Sequence, residues 1–330
     1  MGKSKIPETG IYDARQLGTG RMLLLGFQHM FAMFGATILV PILTGLDVSN
    51  TLLFAGLGTL LFHLITGGKV PAFLGSSFAF LGGYATIAPM LGEQQNQPNL
   101  EMLPYACFGV ACAGLVYVIL AALFKAFGAK KVMRFFPPIV TGPIIIAIGL
   151  NLSSSAINNC TGNWWIAIAA ILIIVAANIW GKGMIKIIPI LLGVIGSYAL
   201  AVIFDANTRA TLVANVSEAK WFALPIKMEQ TVFGLFASGN VDAHKLLTAV
   251  ITIVPLSLAT MVEHIGDVSA ISSTCNRNYI EDPGLHRTLM GDGLATTLAA
   301  LFGAPANTTY GENTGVLALS RIYDPRVIRI

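Results

Sequence analysis

Long apolar runs separated by short polar stretches dominate the chain. A run needs about 17 to 25 residues to cross a lipid bilayer as a helix. Runs of that length predict membrane spans at 22–45, 50–68, 103–126, 136–156, 164–180, 184–205 and 246–270. Two shorter runs, near 70–90 and 289–303, are candidate spans as well. The polar segment 305–320 can lie at membrane depth only if protein surrounds it, so the pattern predicts about ten spans.

The composition favours an all-α polytopic membrane protein. Hydrophobic residues make up 55% of the chain, charged residues 11%, and the mean hydropathy is +0.73. The four cysteines lack the spacing of a zinc site or a disulfide framework, so no metal or cofactor is expected. No basic stripe with interleaved aromatic residues predicts nucleic-acid binding. The N-terminus does not resemble a cleaved signal peptide, so the first span is expected to stay in the mature protein.

The positions of basic residues predict the orientation in the membrane. With the N-terminus inside, most of the 20 Lys and Arg residues fall in loops on the cytoplasmic side. The outside loops 46–49, 91–102 and 157–163 contain none. The remaining basic residues lie in the long connection 206–245, where this rule is weak. We therefore expect a multi-pass protein of the cytoplasmic membrane with a cytoplasmic N-terminus.

Two segments interrupt the apolar pattern in the same way. They run from Pro71 to Phe78 and from Pro305 to Glu312, each with a proline, a few residues that favour extended backbone, and a small polar pair. Proline disfavours helix in the residue before it and hydroxyl side chains are good N-caps, so each segment is predicted to be a short extended piece followed by a half-helix. Paired interruptions indicate the binding site of a secondary transporter, although proline and glycine are also common in ordinary membrane helices.

The order of these segments predicts an inverted repeat. They are third and tenth among the spans, and a separation of seven, an odd number, gives the two copies opposite orientations across the membrane. The chain stops at Ile330, where residues 326–330 lead towards another span. We therefore expect a chain that is truncated at its C-terminus.

Acidic residues inside apolar segments are the strongest functional candidates, because a charge at membrane depth is costly and is usually retained for function. Glu263 and Asp267 are spaced i, i+4 and are predicted to share one face of the eighth span, with His264 pointing elsewhere. Such a pair tends to titrate as a unit, which suits proton coupling. Alternatively, Asp267 is solvated near the cytoplasmic end and only terminates the helix.

The second broken segment adds another acid. Glu312 follows Gly311 and opens a half-helix whose first N–H groups are free donors. Carboxylate acceptors beside backbone donors suit a neutral, planar ligand with alternating N–H and C=O groups. Phe78 or Tyr310 could pack on the face of such a ring. This chemistry selects a class of ligands and not a single compound, since several imides and amides fit it.

Six stretches resemble motifs of the nucleobase/cation symporter-2 family, and within it the bacterial uracil permeases. They are residues 28–37, 71–80 (PAFLGSSFAF), 221–225 (WFALP), 263–266 (EHIG), 282–287 (DPGLHR) and 307–315 (NTTYGENTG). The family signature resembles [Q/E]-N-x-G-x4-T-R and reads here Glu312-Asn313-Thr314-Gly315, then Ser320-Arg321. Glutamate at its first position is similar to the uracil branch, whereas glutamine is typical of the xanthine and urate branch.

The resemblance implies fourteen spans in two inverted repeats of seven, with a core domain and a gate domain that move as in an elevator. It assigns 1–130 to the core domain of the first repeat (spans 1–4) and 131–205 to its gate domain (spans 5–7). Residues 206–245 are then an extracellular or periplasmic connection, and 246–330 are the core domain of the second repeat, from span 8 to the start of span 11.

The resemblance also implies site residues and their roles. The expected uracil ligands are the carboxylates of Glu263 and Glu312, the backbone amides of Phe78 and Gly311, and the pocket walls Ala36 and Tyr310. Proton coupling is assigned to Glu263, Asp267 and Glu312, although uracil permeases typically have histidine where this chain has Asp267. Four polar residues, Gln28, His29, Ser77 and Asn313, are expected to support these groups, although Gln28 and His29 could serve only as hydrogen-bond partners between helices. Asp292 is expected to be structural, with coupling to the site as the alternative.

The predicted function is the import of uracil by proton symport, and the alternatives are another nucleobase (xanthine, hypoxanthine or thymine) or Na⁺ coupling. The sequence leaves the choice between monomer and homodimer open. An intramembrane aspartyl protease is the rival from another class. The order of its motifs does not fit, because Gly291-Asp292-Gly293 precedes Tyr323-Asp324 and is not GxGD. No metalloprotease motif or nucleophile elbow is present either, so an enzyme is not expected.

Overall fold

The computed structural model describes residues 10–92, 97–132, 160–182, 189–218 and 224–330, together with positions 143, 146, 150, 153, 156, 157 and 185. By internal contacts the chain divides into one unit of 1–145 and 225–330 and a second unit of 146–224. Both units are helical in their described parts. The predicted span 136–156 lies largely outside the described residues, as does most of the motif at 221–225.

The first unit contains two short strands and most of the helices. Its helices before the second unit are α1 Thr19–Thr44, α2 Val48–Ile65, α3 Leu81–Ile87, α4 Leu103–Phe127 and the single turn α5 Ala129–Val132. The second unit contributes α6 Trp164–Trp180, α7 Pro189–Phe204 and α8 Ala206–Glu218. The first unit then resumes with α9 Val232–Ala237, α10 Ala243–Ile253, α11 Leu256–Thr274, α12 Leu285–Leu301, α13 Gly311–Ser320 and α14 Pro325–Ile328. The strands are β1 Leu74–Ser76 and β2 Asn307–Thr309.

The helices confirm the polytopic all-α prediction. Among the described residues, four are long and apolar enough to cross a membrane: Thr19–Thr44, Val48–Ile65, Leu103–Phe127 and the run Ala243–Thr274. The last of these is interrupted by a turn at Val254 and Pro255, which separates α10 from α11. Proline supplies no backbone N–H, so the helical hydrogen-bond ladder cannot run through it unbroken.

Both broken segments contain the predicted strand and half-helix. β1 is followed by a 3-10 turn, Phe78–Phe80, and by α3, and β2 is followed by α13. The strands pair antiparallel, with Leu74 opposite Thr309 and Ser76 opposite Asn307. The expectation that hydroxyl side chains cap these helices was wrong. Ser77 and Tyr310 occupy the cap positions without a side-chain cap hydrogen bond. The hydroxyl groups at the strand ends, on Ser76 and Thr309, donate to α1 and α11.

Each strand is fixed at its first residue by a threonine from a neighbouring helix. The Thr59 hydroxyl of α2 accepts from the Leu74 N–H at 3.0 Å and lies 3.3 Å from the Leu74 carbonyl. The Thr296 hydroxyl of α12 lies in the same way at 3.3 Å from the Asn307 nitrogen and 2.9 Å from its carbonyl. The two ends of the ladder therefore have matching anchors on α2 and α12.

Small residues allow these elements to approach closely. Gly114 of α4 and Gly293 of α12 face each other, and a Cβ added to Gly293 would lie 2.6 Å from the Gly114 carbonyl oxygen. Close backbone contact of this kind is how helices associate in lipid, where apolar burial alone provides little driving force. In the second unit, Gly193 and Gly196 of α7 lie against Ile174 and Ile173 of α6.

Loops predicted to lie inside meet at one end of the first unit. Ile11 bridges Ile322, and the Tyr12 hydroxyl donates to the Cys275 carbonyl at 2.7 Å. The hydrogen bond from Arg15 lowers the pKa of Asp13 to about 2. Asp13 therefore remains charged at physiological pH and can pair with Arg326, which lies 3.2 Å away in the C-terminal segment. These contacts agree with a common side for the N-terminus, the loop after α11 and the residues after α13.

Loops predicted to lie outside also contact each other. Lys227 pairs with Asp47 at 2.8 Å, and Lys245 pairs with Glu101 at 2.6 Å. The Asn50 amide at the start of α2 donates to the Phe302 carbonyl at 2.7 Å. The pairing of loops in the structure thus agrees with the alternation predicted from the charges.

The crossing of α2 with β2 generates a stability prediction. A Cβ added at Gly58 would lie 2.0 Å from the Asn307 amide nitrogen and 3.2 Å from the Ala295 Cβ. We expect Gly58→Ala to destabilise the protein by about 1 to 3 kcal/mol through overpacking. Gly56→Ala is the matched control on α2, because its added Cβ meets nothing within 4 Å. Thermal unfolding of the purified protein in detergent measures both, and equal melting temperatures would contradict the packing.

Candidate substrate site

The candidate site lies where the two half-helices begin beside α11. Phe78 is the first residue of the turn after β1, and Gly311 is the first residue of α13. Each stands two positions beyond the end of its strand. N–H groups in the first turn of a helix have no partner within it and are therefore available to a ligand. Helix α11 contacts the Phe78–Phe80 turn, β2 and α13, and its Asp267 faces this region.

Asp267 lies directly against the start of α13. A Cβ added at Gly311 would be 3.0 Å from Oδ1 of Asp267, and Oδ2 accepts a hydrogen bond from the Thr309 hydroxyl at 3.2 Å. Glu263 and Asp267 are both half-buried on the same helix. Asp267 is therefore part of the broken-segment region and does not merely terminate a helix. Whether Glu263 and Asp267 share a proton stays a prediction.

Tyr310 is held rigidly behind the strands. It is 6% exposed, and its hydroxyl donates to the Ser76 carbonyl at 2.6 Å. A Cβ at Gly75 would lie 2.6 Å from the Tyr310 ring and 2.9 Å from the Thr37 hydroxyl, so the ring can occupy this position only beside glycine. Ser77, also buried, extends the ladder through its N–H to the Ala306 carbonyl at 2.9 Å.

His29 and Asn313 connect α1 to both broken segments. Nδ1 of His29 lies 2.8 Å from the Asn313 side-chain oxygen, and the Asn313 amide donates to the Pro71 carbonyl at 2.9 Å. His29 is 2% exposed and Asn313 is 0% exposed. The pair links α1 to the segment before β1, and its role in supporting the site stays a prediction. Gln28 is buried on the same helix, at 7% exposure.

Two predicted site residues have side chains outside the described part of the structure. They are Ala36, which lies within α1, and Glu312, the second residue of α13. Their roles as pocket wall and ligand stay predictions.

Three further residues lie in this region. The sequence interpretation gave no partner to two of them, His264 and Thr309, and named coupling to the site as the alternative for Asp292. His264 was expected to point away from the face of Glu263 and Asp267, and its Nδ1 lies 3.1 Å from the Thr309 hydroxyl, which in turn donates to Asp267. Asp292 accepts from the Thr309 N–H at 3.1 Å and is completely buried. Alternation along β2 predicts that Thr309 lies on the face opposite Thr308. It does not predict the partners of the Thr309 hydroxyl, because these depend on how α11 and α12 pack against β2.

A helical scaffold in which two broken segments meet beside acidic side chains is typical of a multi-pass membrane transporter. The chain belongs to the Permease family Xan_ur_permease, whose family model matches residues 20–330. It is therefore a membrane permease for a small molecule and not an enzyme.

Curated relatives match over most of this chain. It is 39% identical over 319 residues to the uracil permease of Bacillus caldolyticus, covering 94% of this chain and 69% of that protein. It is 38% identical over 315 residues to the uracil permease of Bacillus subtilis, covering 91% and 67%. Identity to the uracil permease of Escherichia coli K12 is 34% over 315 residues, covering 92% and 67%.

A solved structure shows the same fold. The transmembrane domain of the cyanobacterial bicarbonate transporter BicA matches with a TM-score of 0.62 at 15% identity, covering 97% of this chain and 81% of that chain. At this level of identity the likeness concerns the fold alone.

The His29–Asn313 contact predicts an energetic coupling between α1 and α13. Replacing either residue by alanine leaves the other with an unpaired, buried polar group, which costs about 1 to 3 kcal/mol. The double variant His29→Ala/Asn313→Ala should therefore lose less stability than the sum of the single variants, by about 0.5 to 3 kcal/mol. Unfolding of the four proteins in detergent gives this cycle. Additive losses would exclude a direct interaction.

Proposed function

We propose that this permease imports uracil across the cytoplasmic membrane by proton symport. The observation that carries the proposal is the meeting of two helix starts, at Phe78 and Gly311, beside the acid-bearing face of α11. The names of the relatives from three bacteria support uracil as the substrate. A cytoplasmic N-terminus remains part of the proposal and follows from the distribution of basic residues.

The hydrogen-bond capacity of uracil complements this arrangement. Its two ring N–H groups would donate to the carboxylates of Glu263 and Glu312, and its two carbonyl groups would accept from the backbone N–H groups of Phe78 and Gly311. Ala36 and Tyr310 would form the walls of the pocket. Hydrogen bonds to charged groups in a site of low dielectric are stronger than those between neutral groups. A ligand that lacks one of the four groups would leave a buried polar atom unpaired.

Proton coupling follows from the charge of the site. Uracil is neutral and cannot compensate several carboxylates in one region of low dielectric, where like charges repel strongly. Taking up one proton among Glu263, Asp267 and Glu312 would relieve this repulsion. Symport with Na⁺ is the alternative and would compensate the same charge. We further propose that the chain has the inverted-repeat organisation, with a core domain and a gate domain. Matching threonine anchors on α2 and α12 are expected from such a repeat.

Uptake of labelled uracil tests the proposal directly. The protein, expressed from its complete gene in cells that lack uracil permeases, should accumulate uracil, and a protonophore should abolish the accumulation. Excess xanthine, hypoxanthine or thymine should not compete. Uptake that resists the protonophore but requires Na⁺ would overturn proton coupling. Purine uptake without uracil uptake would overturn the substrate. Cross-linking in the membrane tests for a homodimer separately.

Gly311 provides a sharper test of the geometry. Gly311→Ala places a Cβ 3.0 Å from the Asp267 carboxylate, beside the N–H that would bind the substrate. We expect uracil binding to weaken about tenfold or more, which corresponds to about 1.4 kcal/mol. Gly315→Ala is the control on the same helix, because its added Cβ meets nothing within 4 Å among the described residues. Binding measured by calorimetry should separate the two variants, and unchanged affinity in Gly311→Ala would place the ligand elsewhere.

A further inference from the structure

A buried polar chain connects α12 to the predicted coupling residue on α11. It consists of Asp292, His264, Thr309 and Asp267, and we refer to it as the Asp292–Asp267 chain. Nδ1 of His264 lies 3.2 Å from Oδ2 of Asp292 and 3.1 Å from the Thr309 hydroxyl. The Thr309 hydroxyl lies 3.2 Å from Oδ2 of Asp267. The side chains of His264 and Asp292 are both completely buried.

Burial determines which nitrogen of His264 carries its proton. Among the described residues, the buried Nε2 of His264 has no hydrogen-bond partner. A proton on Nε2 would therefore leave a buried N–H unpaired, which is costly. A proton on Nδ1 finds an acceptor in the Thr309 oxygen at 3.1 Å. Oδ2 of Asp292 lies 3.2 Å from the same nitrogen and has no hydrogen-bond partner among the described residues, so the Asp292 carboxyl group is a neighbour of this N–H. Neutral His264 is therefore the Nδ1–H tautomer.

This tautomer sets the direction of the next hydrogen bond. A hydroxyl group has one hydrogen to donate. Because the Thr309 oxygen accepts from His264, its hydrogen is directed to the Asp267 carboxylate. A hydrogen bond to a carboxylate favours its charged form. The charge state of Asp267 is thus linked to His264 and Asp292 through the Thr309 hydroxyl.

We propose that His264 and Asp292 fix the Thr309 hydroxyl as a donor to Asp267 and so determine how readily Asp267 takes up a proton during transport. The inference rests on the proposed proton symport and extends it to named residues. His264 and Asp292 are positioning residues in this scheme, because they act through Thr309. Protonation of Asp267 would weaken the bond from Thr309, so the chain responds to the charge that it controls.

Other titratable groups lie near the same region. Among the residues whose side chains are described they are Glu263 on α11, Tyr117 on α4, and His63 on α2 behind the Phe62 ring. The Tyr117 hydroxyl donates a hydrogen bond to the Thr260 hydroxyl. Nδ1 of His63 accepts a hydrogen bond from Arg329 at 3.4 Å. The Asp292–Asp267 chain links Asp292 and His264 to Asp267 through contacts of 3.1 to 3.2 Å.

Thr309→Val tests the proposal, because valine keeps the shape of threonine and removes the hydroxyl. Infrared spectroscopy distinguishes a protonated carboxyl group from a carboxylate, and the band of Asp267 is identified by its absence in Asp267→Asn. In Thr309→Val the midpoint of this band is expected to move to higher pH by about one unit, because Asp267 loses a hydrogen bond that favours its charge. The pH at which uracil uptake falls for lack of protons should rise by a similar amount.

Asp292→Asn tests the remote end of the chain. The asparagine oxygen would still accept from the Thr309 N–H, so its NH₂ group would face Nδ1 of His264. The proton of His264 would then move to Nε2, and the single lone pair on Nδ1 would accept from this NH₂ group. The Thr309 hydroxyl would no longer receive a hydrogen bond from His264 and would lose its fixed orientation towards Asp267. An upward shift no larger than that of Thr309→Val is expected, and the double variant Thr309→Val/Asp292→Asn should shift no further than Thr309→Val alone.

Two matched controls separate this effect from structural damage. Thr309→Ser keeps the hydroxyl and should keep the midpoint, and Thr308→Val changes the opposite face of the same strand. An unchanged or lowered midpoint in folded Thr309→Val, or a shift in Thr308→Val of equal size, would overturn the proposal. The infrared titration does not require transport. Absence of uracil uptake in the parent protein would therefore count against the proposed function and leave this result interpretable.

Discussion

The pairing of two three-residue strands is the constraint on which the rest of this structure depends. Extended backbone at membrane depth has no water to bond with, and each unpaired N–H or C=O there costs several kcal/mol. β1 and β2 satisfy each other through antiparallel pairing, with Gly75 opposite Thr308. The ladder continues at both ends, where Ser77 N–H bonds to Ala306 and Tyr310 N–H bonds to Phe73. Each broken segment is therefore stable only in the presence of the other.

This dependence explains the positions of several side chains around the strands. Thr59 and Thr296 satisfy the first residue of each strand, while the hydroxyl groups of the last residues bond to α1 and α11. The same pairing brings the two helix starts towards one place. The positions of the backbone N–H groups at the two helix starts are thus a consequence of the hydrogen bonds between the two strands.

The apolar pattern predicted most of this architecture because membrane spans are encoded locally. Long runs determine the helices, and a proline followed by small polar residues determines where a span breaks. The partners of individual side chains were not predictable in this way. His264 was given no partner, since helical spacing gives an angle on α11 but does not show that β2 lies against it. The capping role of the hydroxyl groups failed for the same reason, because Thr309 has a partner on another element.

The matching scaffold has one asymmetry that bears on mechanism. Four residues before the anchor Thr296 is Asp292, whereas four residues before the anchor Thr59 is Ala55. Ser76, at the end of β1, donates to the backbone carbonyl of Thr37, whereas Thr309 donates to the carboxylate of Asp267. The two broken segments thus have matching backbone geometry, which suits the proposed ligand with donors and acceptors at two edges. Among the described residues, a carboxylate accepts from the hydroxyl at the end of β2 and a backbone carbonyl accepts from the hydroxyl at the end of β1, so the proposed proton uptake would belong to the β2 side of the site.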